Sequence, residues 1–301
     1  MDCAGSTLPG LNAAARQDRS RVVEQVQLAR DTWRVRIAAP ELAREIVPGQ
    51  FVMIRPAGST APLLGRPFAL WDLYLDADGQ PAGIDLVYLV VGRMTRLMPA
   101  WDAGDLVDVW GPLGNGFPVP DFEHLLLVGG GIGHTPFLAV AAESRGRRQY
   151  GRSDLRGRAI CPDVRFLYGV RSSEYLAGVD EFRQTGIDVQ IATDDGSAGQ
   201  RGYVTDLLQT ALRQIEQAGG RSAIARTGVF CCGPEPMLHA VAKLVRQWDV
   251  PAWISLETPM ACGFGACFSC VTKVRQPDGE WDYRRVCVEG PIFPAADLVW
   301  E

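Results

Sequence analysis

The sequence predicts a multidomain chain: a β-rich first domain, an α/β second domain built on a parallel sheet, and a small C-terminal domain organised around a metal centre. Three observations carry this. From Arg21, short segments of alternating apolar and polar residues are separated by Pro, Gly and Asp, the pattern of strands in a sandwich or barrel. After Pro120, buried apolar strands alternate with amphipathic helical stretches, which favours a parallel sheet with helices on both faces. Cys262, Cys267, Cys270 and Cys287 then crowd near the C-terminus. At roughly 150 residues per domain, 301 residues fit two domains with room for a small third.

Taken in order, residues 1–18 are rich in Ala, Gly and small polar residues without strong periodicity and are expected to be a flexible lead. The first domain, 19–120, contains the strand-like segments VVEQVQLA, TWRVRIAA, QFVMIRP, IDLVYLVVG and DLVDVWGP. The second, 121–255, opens with LLLVGGGIGHTPFLAVAAES, a buried strand, a glycine turn and an apolar helix. VRFLYGVRSSEYL, DVQIATDD, YVTDLLQTALRQI, TGVFCCGPEPMLHAVAKLVRQW and AWISLE continue the alternation. Between the first helix and the next strand lies an insertion carrying Arg145, Arg147, Arg148, Arg152, Arg156 and Arg158 with little apolar content. A solvated charged loop is the simplest expectation for it, with partner docking or phosphate binding as the alternative. Residues 256–301 turn to Gly, Cys, Pro and aromatic residues.

Composition narrows the function classes. Hydrophobic residues make up 47% and charged residues 22%, enough to bury a core. The net charge of −5 supplies no positive field for a polyanion, so nucleic acid is excluded as the expected partner. The longest apolar runs, such as Leu86–Val91 and Leu125–Val128, fall far short of the roughly 20 residues that span a bilayer. The N-terminus lacks a charged start followed by a long apolar run, so a cytoplasmic location is expected.

The cysteines carry the most specific signal. Cys262, Cys267 and Cys270 are spaced C-x4-C-x2-C, with Cys287 following, which is the plant-type spacing for a [2Fe–2S] cluster. Gly263, Phe264, Gly265 and Ala266 leave the loop free to wrap a cluster with backbone amides aimed at its sulfurs. Zinc competes as a reading, but it usually takes two C-x2-4-C pairs, and the first pair here is wider without a matching second. Cys3, Cys161, Cys231 and Cys232 lack ligand spacing and read as buried or incidental thiols.

Two further segments point to a nucleotide. Gly129, Gly130, Gly131 and Gly133 follow a strand and precede a helix expected to start with Thr135 as N-cap and Pro136 at its first position, a turn that presents amides to phosphate. His134 replaces the third glycine of the dinucleotide fingerprint and reads as structural or phosphate-adjacent, since hydride transfer needs no general base. VFCCGPEPM places Cys232, Gly233 and Pro234 at a strand end, where α/β sheets bind ligands, although a turn of that composition serves shape alone equally well. In the first domain, Arg66-Pro67-Phe68-Ala69 joins a bidentate phosphate donor to an aromatic ring, and GPLGNGF closes the domain.

In combination, RPFA, GPLGNGF, GGGIGHTP and CCGPEPM resemble the ferredoxin-reductase superfamily, which joins a flavin-binding antiparallel β-barrel to a nicotinamide-binding α/β domain. ETPMACGFGACFSCVTKV followed by RRVCVEGPIFPAADLVW is closely similar to the electron-transfer subunits of class 1B dihydroorotate dehydrogenase, which carry FAD and a [2Fe–2S] cluster. The resemblance covers roughly residues 20–301 and leaves out the lead and the Arg-rich insertion. It implies that Arg66, Pro67, Phe68 and Ala69 hold the flavin, that Val87, Tyr88 and Leu89 line it, and that Met94 and Thr95 sit at its phosphates. Gly129, Gly130, Gly131, Gly133, Cys232, Gly233 and Pro234 would then receive NAD, and Cys262, Cys267, Cys270 and Cys287 the cluster. Three positions depart from the family: Ala69 replaces a usual Ser or Thr, Leu89 a frequent Arg and Met94 a frequent Gly, shifting phosphate contacts toward Arg93 or Arg96.

The resemblance implies a relay in pyrimidine biosynthesis, with electrons passing from dihydroorotate to FMN in a separate catalytic subunit, then through the cluster and FAD to NAD. It also implies a heterotetramer of two of each chain. A reductase serving a hydrogenase, a ferredoxin:nucleotide oxidoreductase or a monooxygenase is the alternative within the superfamily. A regulatory or assembly module that only binds nucleotide and metal is the alternative outside it. Arg171, Ser172 and Ser173 leave NADH and NADPH both open.

Overall fold

The computed structural model describes residues 11–119, 121–152, 156–157 and 159–300. Cys3, Pro120, Arg158 and residues 1–10 of the expected lead lie outside the described residues.

The first domain is a closed six-stranded barrel with strand order β1-β2-β5-β4-β3-β6. Its strands are β1 (Arg16–Ala29), β2 (Thr32–Ala38), β3 (Phe51–Pro56), β4 (Arg66–Leu75), β5 (Pro81–Leu89) and β6 (Leu106–Leu113). All neighbours run antiparallel. Alternation fills the interior: Val35 and Ile37, Val52 and Ile54, and Ile84 and Leu86 are all fully buried. Helices α1 (Pro40–Glu45) and α2 (Arg93–Leu97) add Leu42, Ala43 and Met94 to the same core.

Two expectations change here. The barrel begins at Arg16, inside the segment 1–18 expected to be loose: Arg16–Arg21 pairs with Leu106–Gly111, and Leu11 and Ala15 pack on the core. The exposed side chains of this edge hide the strand, while its backbone ladder with β6 holds it. The RPFA segment, expected only as a ligand motif, opens strand β4, with Ala69 opposite Phe51.

The second domain contains β7 (His124–Gly130), α3 (Phe137–Ser144), β8 (Asp163–Val170), α4 (Val179–Gln184), β9 (Asp188–Thr193), β10 (Gln200–Arg201), α5 (Val204–Ile224), β11 (Thr227–Cys232), α6 (Glu235–Trp248) and β12 (Ala252–Ser255). Strands β7 to β12 pair in parallel in the order β10-β9-β8-β7-β11-β12. Chain order reverses between β7 and β11, so a topological switch point opens outside their carboxyl ends. The helix expected to start at Thr135 starts later: Gly131–His134 forms a 3-10 turn, Thr135 continues it and Pro136 caps α3.

The C-terminal segment forms a hairpin, β13 (Val271–Arg275) with β14 (Trp281–Arg285), and then returns as β15 (Ile292–Pro294), antiparallel to β12 at the edge of the parallel sheet. Residues 256–300 are thus stitched into the α/β domain and share its core through Cys270, Val286, Cys287 and Phe293.

The Arg-rich insertion is not a bland solvated loop. Tyr150 is fully buried in the barrel's core cluster, and its hydroxyl donates to Asp72 Oδ1 of β4 at 2.6 Å. Arg148 pairs with the same carboxylate at 2.5 Å and donates to the Leu73 carbonyl at 2.9 Å. Arg156 holds Glu143 of α3 with two hydrogen bonds and donates to the Phe117 carbonyl at 3.2 Å. Arg148 and Arg156 are thus paired with carboxylates inside the fold, which composition alone does not reveal.

Candidate functional site

The cysteine loop begins directly after β12 and its Ser255–Glu257 exit. Gly263 is required at its first bend: its φ is +80°, and a Cβ there would lie 2.5 Å from Met53 Cγ in the barrel. The four thiols meet as two pairs. Cys262 contacts Cys267, and Cys270 contacts Cys287, each through the sulfur atoms. The Cys267 thiol is pulled down to about 6, first by the Ser269 hydroxyl, whose oxygen lies 3.2 Å from the sulfur. Hydrogen bonding with Cys287 draws the Cys270 thiol down to about 6 and pushes the Cys287 thiol up, while the Gly265 amide reaches the Cys287 sulfur. Among the described residues no three Cys, His, Asp or Glu side chains converge where one ion could be held. Two thiol pairs, each able to take one iron, fit a [2Fe–2S] cluster and not a four-ligand zinc site.

The two nucleotide segments come together at the switch point. Cys232 of β11 stands opposite Gly129 of β7 in the parallel ladder. A Cβ on Gly133 would lie 2.4 Å from the Cys232 carbonyl oxygen, and one on Gly233 would lie 3.1 Å from Gly130 Cα, so glycine permits the two turns to touch. Gly131, with φ of +54°, faces open space. Burial pushes the Cys232 thiol well up, with the Glu257 carboxylate adding to it. His134 is 1% exposed and boxed by Trp71, Tyr168 and Phe182, with ring centroids 5.3, 4.9 and 6.4 Å away. Its Nδ1 donates to the Gly131 carbonyl at 2.9 Å, and among the described residues Nε2 has no hydrogen-bond partner. Burial drops its pKa to about 4, so it is a neutral structural residue of the turn.

On the barrel, β4 presents Arg66 to Ala69 beside β3. Arg66 is tied through Nη1 to the Leu64 and Gly65 carbonyls, and among the described residues its Nε and Nη2 have no other partner. Phe68 packs edge-on against Tyr88, and the Tyr88 hydroxyl donates to Gln25 Oε1. Val87 and Tyr88 are buried, Leu89 half-buried. Met94 is buried in the barrel core, so its side chain is unavailable to a phosphate, and the Thr95 hydroxyl is occupied by the Val91 and Gly92 amides. Arg93 and Arg96, on the same short helix, are exposed.

One residue absent from the sequence reading connects the centres. Trp110 of β6 donates from Nε1 to the Cys262 carbonyl at 2.9 Å, and its ring lies against Gly65: a Cβ there would sit 2.4 Å from Trp110 Cη2. Trp110 thus stands between the cysteine loop and Gly65, the residue that precedes Arg66. An open cleft of about 570 Å³ runs alongside, with Leu63, Leu64, Phe264 and Cys267 among its walls. A tryptophan within an alternating strand carries no signal of such a role.

The chain is similar along most of its length to proteins of one kind. The dihydroorotate dehydrogenase B (NAD(+)) electron transfer subunit of Bacillus caldolyticus is 34% identical over 286 residues, covering 94% of this chain and 98% of that protein. The equivalent subunit of Geobacillus thermodenitrificans is 36% identical with the same coverage. A family model described as the iron-sulfur cluster binding domain of dihydroorotate dehydrogenase B matches residues 257–299. Among solved structures, an NADH-dependent reduced ferredoxin-NADP oxidoreductase studied for flavin-based electron bifurcation superposes with a TM-score of 0.74 at 28% identity, covering 93% of this chain and 90% of that one. A ferredoxin NADP+ reductase from Neisseria gonorrhoeae with bound FAD and NADP has a TM-score of 0.58 at 17% identity, covering 77% and 91%, and shows a shared fold.

Proposed function

The chain belongs to the family of dihydroorotate dehydrogenase B electron transfer subunits, and from that premise we propose that it is the NAD-linked outer half of a relay whose inner half is an FMN-containing catalytic subunit oxidising dihydroorotate. The observation that carries this reading is the seating of the cysteine loop on the barrel, with Trp110 bonded to Cys262 and packed on Gly65 before Arg66. When bound, FAD exchanges a hydride with nicotinamide and single electrons with a [2Fe–2S] cluster, which is why both belong in one chain.

The residues divide the work. The barrel, which begins at Arg16, holds FAD: Arg66 through Ala69 on β4 carry the flavin, with Val87, Tyr88 and Leu89 beside them. Backbone amides near Met94 and Thr95, together with Arg93 and Arg96, neutralise its phosphates. The α/β domain, 121–255, receives NAD between the Gly129, Gly130, Gly131 and Gly133 turn and Cys232, Gly233 and Pro234, where apposed backbone turns favour a pyrophosphate. The segment 256–301 holds the cluster through Cys262, Cys267, Cys270 and Cys287. In each pair one thiol is drawn down, Cys267 by Ser269 and Cys270 by Cys287, which favours the thiolate that a metal takes. No residue moves a proton to the nicotinamide; His134 is buried and neutral and shapes the turn.

The catalytic subunit docks on the cluster-bearing face. Leu63, Leu64, Phe264 and Phe268 are 67, 48, 40 and 61% exposed around the cleft and Cys267, an apolar surface suited to a protein partner. A heterotetramer of two of each chain and a cytoplasmic location complete the reading; among the described residues no helix is long and apolar enough to cross a membrane.

The test is an anaerobic titration of the purified chain with NADH, with flavin, iron and sulfide assays, followed by reconstitution with the FMN subunit. One FAD, two irons and two sulfides per chain and dihydroorotate-dependent NADH formation are expected. Zinc in place of iron and sulfide, or no flavin bleaching, overturns the reading. The full-length likeness to the NADH-dependent ferredoxin-NADP oxidoreductase favours one second reading, a reductase serving another partner, which the reconstitution separates from the first.

A further inference from the structure

The Arg-rich insertion lies outside the flavin, nucleotide and cluster segments, yet through Tyr150 and Arg148 it makes a part-buried polar contact with the barrel. We propose that it is a domain clamp, in which Arg148 and Tyr150, acting through Asp72, are positioning residues that set the nicotinamide turn against the flavin strand. The inference rests on the function proposed above.

The two ends of the clamp are rigid elements. Asp72 belongs to β4, the strand that opens with Arg66–Ala69, and lies only three positions, roughly 10 Å of extended chain, beyond Ala69. The pairing of β4 with β5 slips between Leu70 and Asp72, a bulge that directs consecutive side chains to one neighbour. Trp71 packs on His134 and Phe182, and Asp72 receives Arg148 and Tyr150. At the other end, the insertion continues from α3, whose N-terminal side is the Gly131–His134 turn. Arg156 fixes that helix again by gripping Glu143 and the Phe117 carbonyl of the loop leaving β6. Turn, α3, insertion, Asp72 and flavin strand thus form one mechanical chain.

The chemistry makes the clamp exacting. Asp72 Oδ1 accepts from the Tyr150 hydroxyl, the Arg148 guanidinium and the Leu73 amide, and the Tyr150 ring is fully buried. Half-buried charge-assisted bonds fix geometry more tightly than an exposed ion pair. A second ion pair from the barrel, Arg30 with Glu174, has both side chains more than half exposed. Hydride transfer tolerates little misplacement of donor and acceptor, so loosening this link costs rate before it costs binding.

The experiment uses the full chain carrying FAD and cluster, comparing wild type with Tyr150→Phe, Asp72→Asn, Arg148→Met and Arg148→Lys. At saturating NADH, the first three are expected to bleach the flavin about tenfold more slowly, with the NADH dissociation constant and FAD content within about twofold of wild type. The long-wavelength absorbance of nicotinamide stacked on reduced flavin should weaken in step, trypsin should nick residues 145–158 faster in Asp72→Asn, and Arg148→Lys should recover most of the rate. Limiting rates and long-wavelength absorbance matching wild type, with only a lowered melting temperature, would overturn the clamp alone. A wild-type chain that NADH does not bleach overturns the underlying reading and the clamp with it. Should Arg148→Met fail to fold, Tyr150→Phe, which removes one oxygen, decides.

Discussion

The indole of Trp110 and the carbonyl of Cys262, 152 positions apart in sequence, are joined by a 2.9 Å hydrogen bond that pins the cysteine loop to the barrel wall. Trp110→Phe keeps an aromatic ring against Gly65 but removes the donor. The loss of about 1 kcal/mol should shorten the life of the cluster's visible absorbance under chelator roughly fivefold, with FAD content unchanged. An unchanged half-life would show that the loop is held by its other contacts.

The two thiol pairs make a second prediction. Changing Cys267→Ser or Cys287→Ser removes one member of a different pair, and each variant should lose iron and sulfide together. FAD should remain, because Arg66 to Ala69 stand on a separate barrel strand. A variant that keeps tightly bound metal without sulfide would point back to a mononuclear site.

A third prediction concerns the touching turns. Gly133→Ala forces a methyl to 2.4 Å from the Cys232 carbonyl oxygen, backbone against which it cannot rotate away. Separating the turns should weaken NADH at least tenfold while leaving the iron and FAD contents near wild type. Equilibrium titration of flavin reduction reads this directly, and retained NADH affinity would move the nucleotide elsewhere.

The elements and their chemistry were legible to different degrees. The cysteine spacing, the glycine turn and the alternation of strands with helices announce themselves because each is a local pattern with a local cause. The first part of strand β1, Arg16 to Arg21, and strand β4 from Arg66 are invisible to the same eye: one is polar on its exposed face, and the other begins with Arg and Pro. The insertion misleads for another reason. Arg148 and Arg156 look solvated in sequence because the carboxylates that neutralise them, Asp72 and Glu143, come from other elements. Trp110 is likewise silent, since its meaning lies in a carbonyl of a distant loop.

Coenzyme choice follows from the carboxyl ends of β8 and β9. The Ser173 amide donates to Ser197 Oγ, whose hydroxyl donates to Asp195, and the Asp195 amide donates to the Arg171 carbonyl. The Ser197 bonds hold the Asp195 carboxyl below its usual range, so it stays ionised beside Arg171–Ser173. A fixed carboxylate accepts from a ribose diol and repels a 2′-phosphate. NADH should therefore reduce the flavin with a half-saturating concentration at least tenfold below that of NADPH, and Asp195→Asn should narrow the gap. Equal use of both coenzymes by the wild type would contradict this.

His134 supplies a pH dependence with a definite sign. In the folded chain its pKa is about 4, because burial among Trp71, Tyr168 and Phe182 disfavours the cation, whereas the unfolded chain takes up the proton near the ordinary value of about 6.5. Above pH 6.5 neither state carries the proton, and the neutral ring contributes in full. Between pH 6.5 and 4 the unfolded state binds more protons, so stability falls as pH falls, by about 2 kcal/mol at pH 5 from this residue. His134→Phe retains an aromatic ring in the box, removes the unpartnered Nε2 and cannot titrate. Denaturant midpoints of the two proteins at fixed ionic strength should lie close at pH 7.5 and diverge toward pH 5, with the wild type losing more. Parallel curves would mean that the folded chain admits the proton without cost, and the ring would then have no part in coupling the Gly131 turn to pH.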